Sequence, residues 1–154
     1  PPVSHTNEPV VVLRAQGRSR LASFPGDIEG TMWRSGNTDL SQLLQNTIRW
    51  VTGGEAPYTV SGDGLVETFG WETEAGYAVH VLNYTNPNTH RGWLRKSYPI
   101  GEQRVTMQLP AGVKVSRVQL LRSGRDIPFH IAGQAIEFTI PRIDDYEVAA
   151  INAS

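Results

Sequence analysis

Two clusters in this 154-residue chain bring together residue types that can do chemistry. The first is Phe24-Pro25-Gly26-Asp27-Ile28-Glu29-Gly30-Thr31-Met32-Trp33-Arg34-Ser35-Gly36, which sets an acid (Asp27), a large aromatic (Trp33) and a cation (Arg34) in a stretch that reads as a long loop. Long loops without regular structure are often functional. Its plainer reading is packing, with Phe24 and Trp33 closing the end of a sheet and Asp27 pairing locally. The second cluster, Asn83 onward to Arg95, gathers Tyr84, Asn86, Arg91 and Trp93 among Asn and Pro residues. Aromatic faces suit the C–H faces of a sugar ring, and planar amides with a guanidinium suit its hydroxyls, so these four are candidate sugar contacts. The competing reading is an Asn/Pro turn cluster that docks on a neighbouring domain. Trp93 sits between Gly92 and Leu94 rather than among further polar groups, so the interface reading is preferred.

Other chemistry is harder to assemble. A glycosidase site needs two carboxylates facing one another across ~5 to 9.5 Å. The candidate sets are Asp27 with Glu29, Glu72 with Glu74, and Asp144 with Asp145 and Glu147. Each lies within one local segment and reads as a solvated turn or cap, so no catalytic residue is assigned. The histidines His5, His80, His90 and His130 have no helical ligand spacing and no cysteine partners, because the chain has no cysteine; no metal site and no cofactor are expected. His80 reads as a satisfied core or junction histidine. Gly62-Asp63-Gly64 lacks the third glycine and the following helix of a phosphate loop, and reads as a turn. Fourteen Lys+Arg against fifteen Asp+Glu offer no electrostatic footprint for nucleic acid or an anionic membrane. No apolar run approaches the ~18 residues of a membrane helix. The start Pro1-Pro2-Val3 has neither a basic leader region nor an initiator Met, as in an excised piece or a processed product; the compartment stays open.

The elements that must position these clusters are mostly strands. One stretch, residues 39–52, carries a helical period: Leu40, Leu43, Leu44, Thr47, Ile48 and Val51 form one broad apolar stripe. Asp39 is its expected cap, with Gln42 at the capping-box position, and Gly53-Gly54 its end. The stripe is wider than a two-stranded hairpin covers, so a partner is expected for it. Before it, 10–13 and 21–24 read as a β-hairpin around Ala15-Gln16-Gly17-Arg18, followed by the loop 25–38. Gly53-Gly54-Glu55-Ala56-Pro57 is the expected domain boundary, separating 1–53 from 57–154.

Beyond it, 65–72 and 77–84 read as a hairpin whose register the sequence fixes to within one residue. With Glu72 opposite Tyr77, Leu65, Phe69, Trp71, Leu82 and Tyr84 share one face, and Val66, Val79 and Val81 the other. Both faces are largely apolar, as at a domain junction. Further strands are read at 103–109, 115–121, 127–131, 135–140 and 146–151, with Ile136, Phe138 and Ile140 alternating against more polar neighbours. Short strands at even spacing indicate a small antiparallel β-sandwich, so the fold class is mainly β.

The run Gly17-Arg18-Ser19-Arg20-Leu21-Ala22-Ser23-Phe24-Pro25-Gly26-Asp27-Ile28, with Trp33-Arg34-Ser35-Gly36, Asp39-Leu40-Ser41-Gln42-Leu43-Leu44-Gln45-Asn46 and Arg49-Trp50, resembles the end of a known domain. That domain is the amidotransferase-like trimerisation unit, of flavodoxin-like α/β fold, in bacterial multidomain glycoside hydrolases related to family 42 β-galactosidases. Glu74 to Pro87, with Leu109-Pro110, Phe138-Thr139-Ile140-Pro141 and Asp145-Tyr146-Glu147-Val148, resembles the C-terminal β-sandwich of the same proteins. The resemblance implies that 1–53 is a β-hairpin and helix remnant of the α/β domain. It also implies that the catalytic carboxylates stand on a separate N-terminal (β/α)₈ barrel, and that this chain is a non-catalytic accessory region. The implied partners are the rest of the parent polypeptide and further copies of the chain, with a carbohydrate-binding module as the alternative.

Overall fold

The computed structural model describes residues 7–54, 56–86 and 96–154. The chain divides into two compact units, Pro1–Ala56 and Pro57–Ser154.

In the first unit, β1 (Val12–Gln16) and β2 (Ser19–Ser23) form an antiparallel hairpin with Gln16 opposite Ser19. The turn Gly17-Arg18 carries its positive φ, 59°, on the glycine alone, as in the type II′ turn whose twist suits hairpin strands. The expected loop 25–38 is instead mostly helix, α1 (Ile28–Ser35). Asp27 caps it by accepting from the Gly30 N–H at 2.9 Å, and Gly36 ends it in the left-handed region, its N–H donating to the Met32 carbonyl. Two turns carry too few apolar positions for a period to stand out, and Gly30 reads as a helix breaker. A Cβ at Gly30 would overlap the Asp27 carboxylate, so the cap itself requires glycine there.

The longer helix α2 (Thr38–Thr52) is capped by Asn37 and not by Asp39. Asn37 Oδ1 accepts from the N–H groups of Asp39 and Leu40 at 2.9 and 3.1 Å, while Gln42 turns to Asn46 at 2.9 Å rather than closing a capping box. Gly53 ends the helix at φ 77° as expected. Leu40, Leu43 and Leu44 are half-buried and Thr47 is buried, whereas Ile48 and Val51 remain exposed. Arg20 of β2 donates to the Trp50 carbonyl at 2.6 Å and lies 5.7 Å from its ring centroid. A cation there suits the negative end of the helix.

The second unit is an antiparallel sandwich. One sheet has the order β3 (Tyr58–Gly62), β6 (Gln103–Gln108), β10 (Ala135–Ile140), β9 (Phe129–Ala132). The other runs β4 (Val66–Thr73), β5 (Gly76–Asn83), β11 (Tyr146–Ala153), β7 (Val115–Leu120), β8 (Arg125–Ile127). Glu72 stands opposite Tyr77, the expected register. Between the sheets, Val105, Ile136, Phe138 and Ile140 of the first meet Val79, Val81, Val118, Leu120, Ala149 and Ile151 of the second. Each Val, Leu, Ile or Phe among them is worth about 1.5 to 3 kcal/mol on burial.

Two strands depart from the expectation. β3 has no counterpart among the expected strands, and the single strand read at 127–131 is two, β8 and β9, which belong to different sheets. Pro128 stands between them; having no N–H, it cannot continue a ladder and marks the point where the chain changes sheet. β4 is an edge strand, and its edge is covered: the Tyr58 hydroxyl donates to the Thr68 carbonyl at 3.1 Å. The ring passes so close that a Cβ at Gly70 would stand 2.5 Å from Tyr58 Cε1. Occupying an edge carbonyl in this way discourages strand addition at that point.

Candidate functional site

The cluster of Asp27, Trp33 and Arg34 is a helix with its own capping chemistry. Asp27 and Arg34 form an ion pair at 3.0 Å, spanning α1 from cap to last turn. The guanidinium of Arg34 first, and then the Gly30 N–H, hold the Asp27 carboxyl below its ordinary value. The local pairing expected of Asp27 is therefore what its side chain does. Trp33 closes no sheet within its unit; it is 87% exposed. A hollow of about 420 Å³ beside the cap is lined by Glu8, Val10, Pro25, Ile28 and Leu40 together with Asp27.

Because its native pKa is depressed, Asp27 contributes its capping and pairing above the unfolded carboxyl value, near ~4, and loses them as pH falls through the lower native value. Acidification should therefore shift the Gly30 amide resonance with a midpoint below the ordinary aspartate value, and Asp27→Asn should abolish that titration. A midpoint at or above the ordinary value would contradict the pairing.

At the second cluster, Asn83 is not a surface amide. It is 6% exposed, its Nδ2 donates to the carbonyls of Tyr98 and Asp144, both at 2.8 Å, and its Oδ1 accepts from the Thr85 N–H at 2.9 Å. Tyr84, the next residue, is 45% exposed, and Asn86 is half-buried. Arg91 and Trp93 lie outside the described residues.

The acidic sets divide. Asp144 pairs with Arg142 at 2.9 Å and Asp145 with Arg122 at 2.8 Å, both exposed turn pairs. Glu147, expected to be solvated, is instead buried at 3% exposure. Its Oε1 accepts from the N–H groups of Arg122 and Val148, each at 2.9 Å, and its Oε2 from Ser123 at 3.2 Å. It staples the turn after β7 to the start of β11, a role for which a lone Glu in a strand gives no sequence signal. Among the described residues no group of three or more His, Asp or Glu side chains could hold a metal ion.

The feature that the fold itself creates is the outer face of the five-stranded sheet. The register places Leu65, Phe69 and Trp71 beside Ala78, His80, Leu82 and Tyr84, and these beside Tyr146, Val148 and Ala150. Trp71 is 59% and Phe69 42% exposed, and Leu65, Tyr146 and the adjoining Leu121 are also exposed. His80 is on this face, half-buried, and not in the core. Phe69, Trp71, Ala78 and His80 line a shallow cleft of about 630 Å³. The opposite sandwich face behaves differently: its outward positions include Thr59, Ser61, Arg104, Thr106, Glu137 and Thr139. Antiparallel sheets ordinarily solvate one polar face. The four-stranded sheet does so, whereas the five-stranded sheet is polar outside only toward β7 and β8, where Gln119, Arg117 and Asp126 share the outer face.

The described architecture is therefore that of a mainly β chain in which a sandwich follows a hairpin and two helices. No family model matches the chain, and no curated protein matches it in sequence. In fold it is similar to α-L-fucosidase isoenzyme 2 from Paenibacillus thiaminolyticus, a bacterial glycoside hydrolase, with a TM-score of 0.70 at 19% identity over 86% of this chain. The chain spans 21% of the length of that protein.

Proposed function

We propose that this chain is a non-catalytic accessory region of a longer bacterial glycoside hydrolase of the family 42 β-galactosidase-like kind, supporting domain packing and oligomerisation. One observation carries the reading: the fold likeness takes in 86% of this chain but only a fifth of a glycoside hydrolase. A match confined to so small a share supports an appended region rather than a whole enzyme. The carboxylates support it, since Asp27, Asp144, Asp145 and Glu147 are each engaged in a cap, an ion pair or a turn. A retaining or inverting site would require two of them to converge on one bond.

The 154-residue chain should release no nitrophenol above background from a panel of aryl α- and β-glycosides, fucosides and galactosides included. Turnover that disappears in an Asp27→Asn or Asp144→Asn variant would overturn the proposal.

A further inference from the structure

From the outer face of the five-stranded sheet we infer that the chain pairs with a second copy of itself there, a contact that rests on the accessory, oligomerising role proposed above. Four aromatic side chains on or beside this face are each roughly two-fifths to three-fifths exposed. At ~150 to 250 Å² per aromatic, and with Leu65 and Leu121 added, the patch offers roughly 500 Å² of apolar surface. That lies within the ~300 to 600 Å² of the largest patch on an ordinary monomer, a patch that is often functional. Two such patches sum to about 1,000 Å², the area at which a specific interface becomes credible.

The charge pattern favours a like partner. Around Phe69 and Trp71 the face bears Glu67 and half-buried His80, and Arg122 lies 4.5 Å over the ring of Tyr146, with aliphatic Ala78 and Leu82 between the aromatic positions. A patch with so little charge of one sign does not repel its own copy, which is the requirement of a two-fold interface in which one surface meets itself. Two twisted sheet faces also pack aligned on one another, the same geometry that closes the sandwich core.

Sedimentation of the full chain tests this. At ~100 µM the wild type should be largely dimeric. Trp71→Glu should raise the dissociation constant by ~30-fold or more, as loss of a central Trp does at other interfaces. Leu121→Glu, at the far side of the face, should weaken the dimer as well, and Arg104→Glu on the polar sheet should leave it unchanged. Circular dichroism melts of each variant separate lost association from lost fold. A monomeric wild type, or a dimer that survives both Trp71→Glu and Leu121→Glu with intact folds, overturns the inference. So does a change in tryptophan fluorescence, removed by Trp71→Glu, on adding neutral oligosaccharides to a monomeric protein. Glycoside hydrolysis measured on the same samples reports separately on the accessory reading.

Discussion

Replacing Glu147 with alanine should lower the melting temperature of the sandwich by more than any surface change. The carboxylate is buried and accepts three backbone N–H groups, from Arg122, Ser123 and Val148. Hydrogen bonds to a charged acceptor contribute about 1.5 to 3 kcal/mol each. Water entering the turn after β7 replaces part of that, so the expected net loss is about 3 kcal/mol. At ~4 to 8 °C per kcal/mol for a domain of this size, the midpoint should fall by ~12 °C or more. Glu147→Gln should lie between the two, because its amide keeps one acceptor oxygen but aims an NH₂ at N–H groups that need an acceptor. The effect should be specific to this carboxylate: Asp144→Ala and Asp145→Ala each remove only an exposed pair, whose contribution is typically about 0 to 1 kcal/mol. Thermal melts followed by near-ultraviolet circular dichroism measure all four. An alanine variant melting within about 2 °C of the wild type (~0.5 kcal/mol or less) would remove Glu147 from any structural role.

Glu147 also marks the boundary of what sequence pattern can tell. Alternation along Ile136, Phe138 and Ile140 reports which side of a strand is buried, and those residues lie in the core. The hairpin of β4 and β5 is legible from two apolar runs around a tight turn, but its register only to within one residue, and the observed pairing of Glu72 with Tyr77 is what puts Phe69 and Trp71 on the outer face. The helix period of Leu40 to Val51 places α2 to within a residue of its observed start.

What pattern misses depends on contacts between residues distant in sequence or on competition between neighbouring caps. Asn37 and Asp39 are both good caps, and only the backbone at residue 37, with φ −70° and ψ 116°, decides between them. β8 and β9 part at Pro128 because each finds a different sheet, a fact of three-dimensional assembly. Glu147 is recognised as buried only when the turn at 122–123 folds over it. The candidate site is hidden in the same way. Residue types at 24–36 suggest chemistry, but the Asp27–Arg34 spacing matches two turns of a short helix, and the pairing uses up both charges.

Asn83 provides the second large effect, and its sign depends on which group replaces the amide. Nδ2 donates to two carbonyl oxygens from separate segments, those of Tyr98 and Asp144, with the Ile143 carbonyl at 3.5 Å. It thereby joins the end of β5 to the stretch leading into β6 and to the approach to β11. Asn83→Ala leaves those carbonyls short of a donor in a site that is nearly closed to water, at a cost of about 1 to 3 kcal/mol. Asn83→Asp preserves the volume and the Thr85 contact but turns an acceptor, ionised at neutral pH, toward the same carbonyl oxygens. A buried charge without a partner is the more expensive error, on the order of 3 to 5 kcal/mol. The near-isosteric aspartate should therefore destabilise more than the truncating alanine at neutral pH, the reverse of what similarity of shape predicts. Below the carboxyl's ionisation the difference should narrow, since the protonated acid of the N83D variant regains one donor. Urea unfolding of both variants at neutral and acidic pH distinguishes the cases. If N83D proves the more stable of the two at neutral pH, the amide is not donating where the geometry places it.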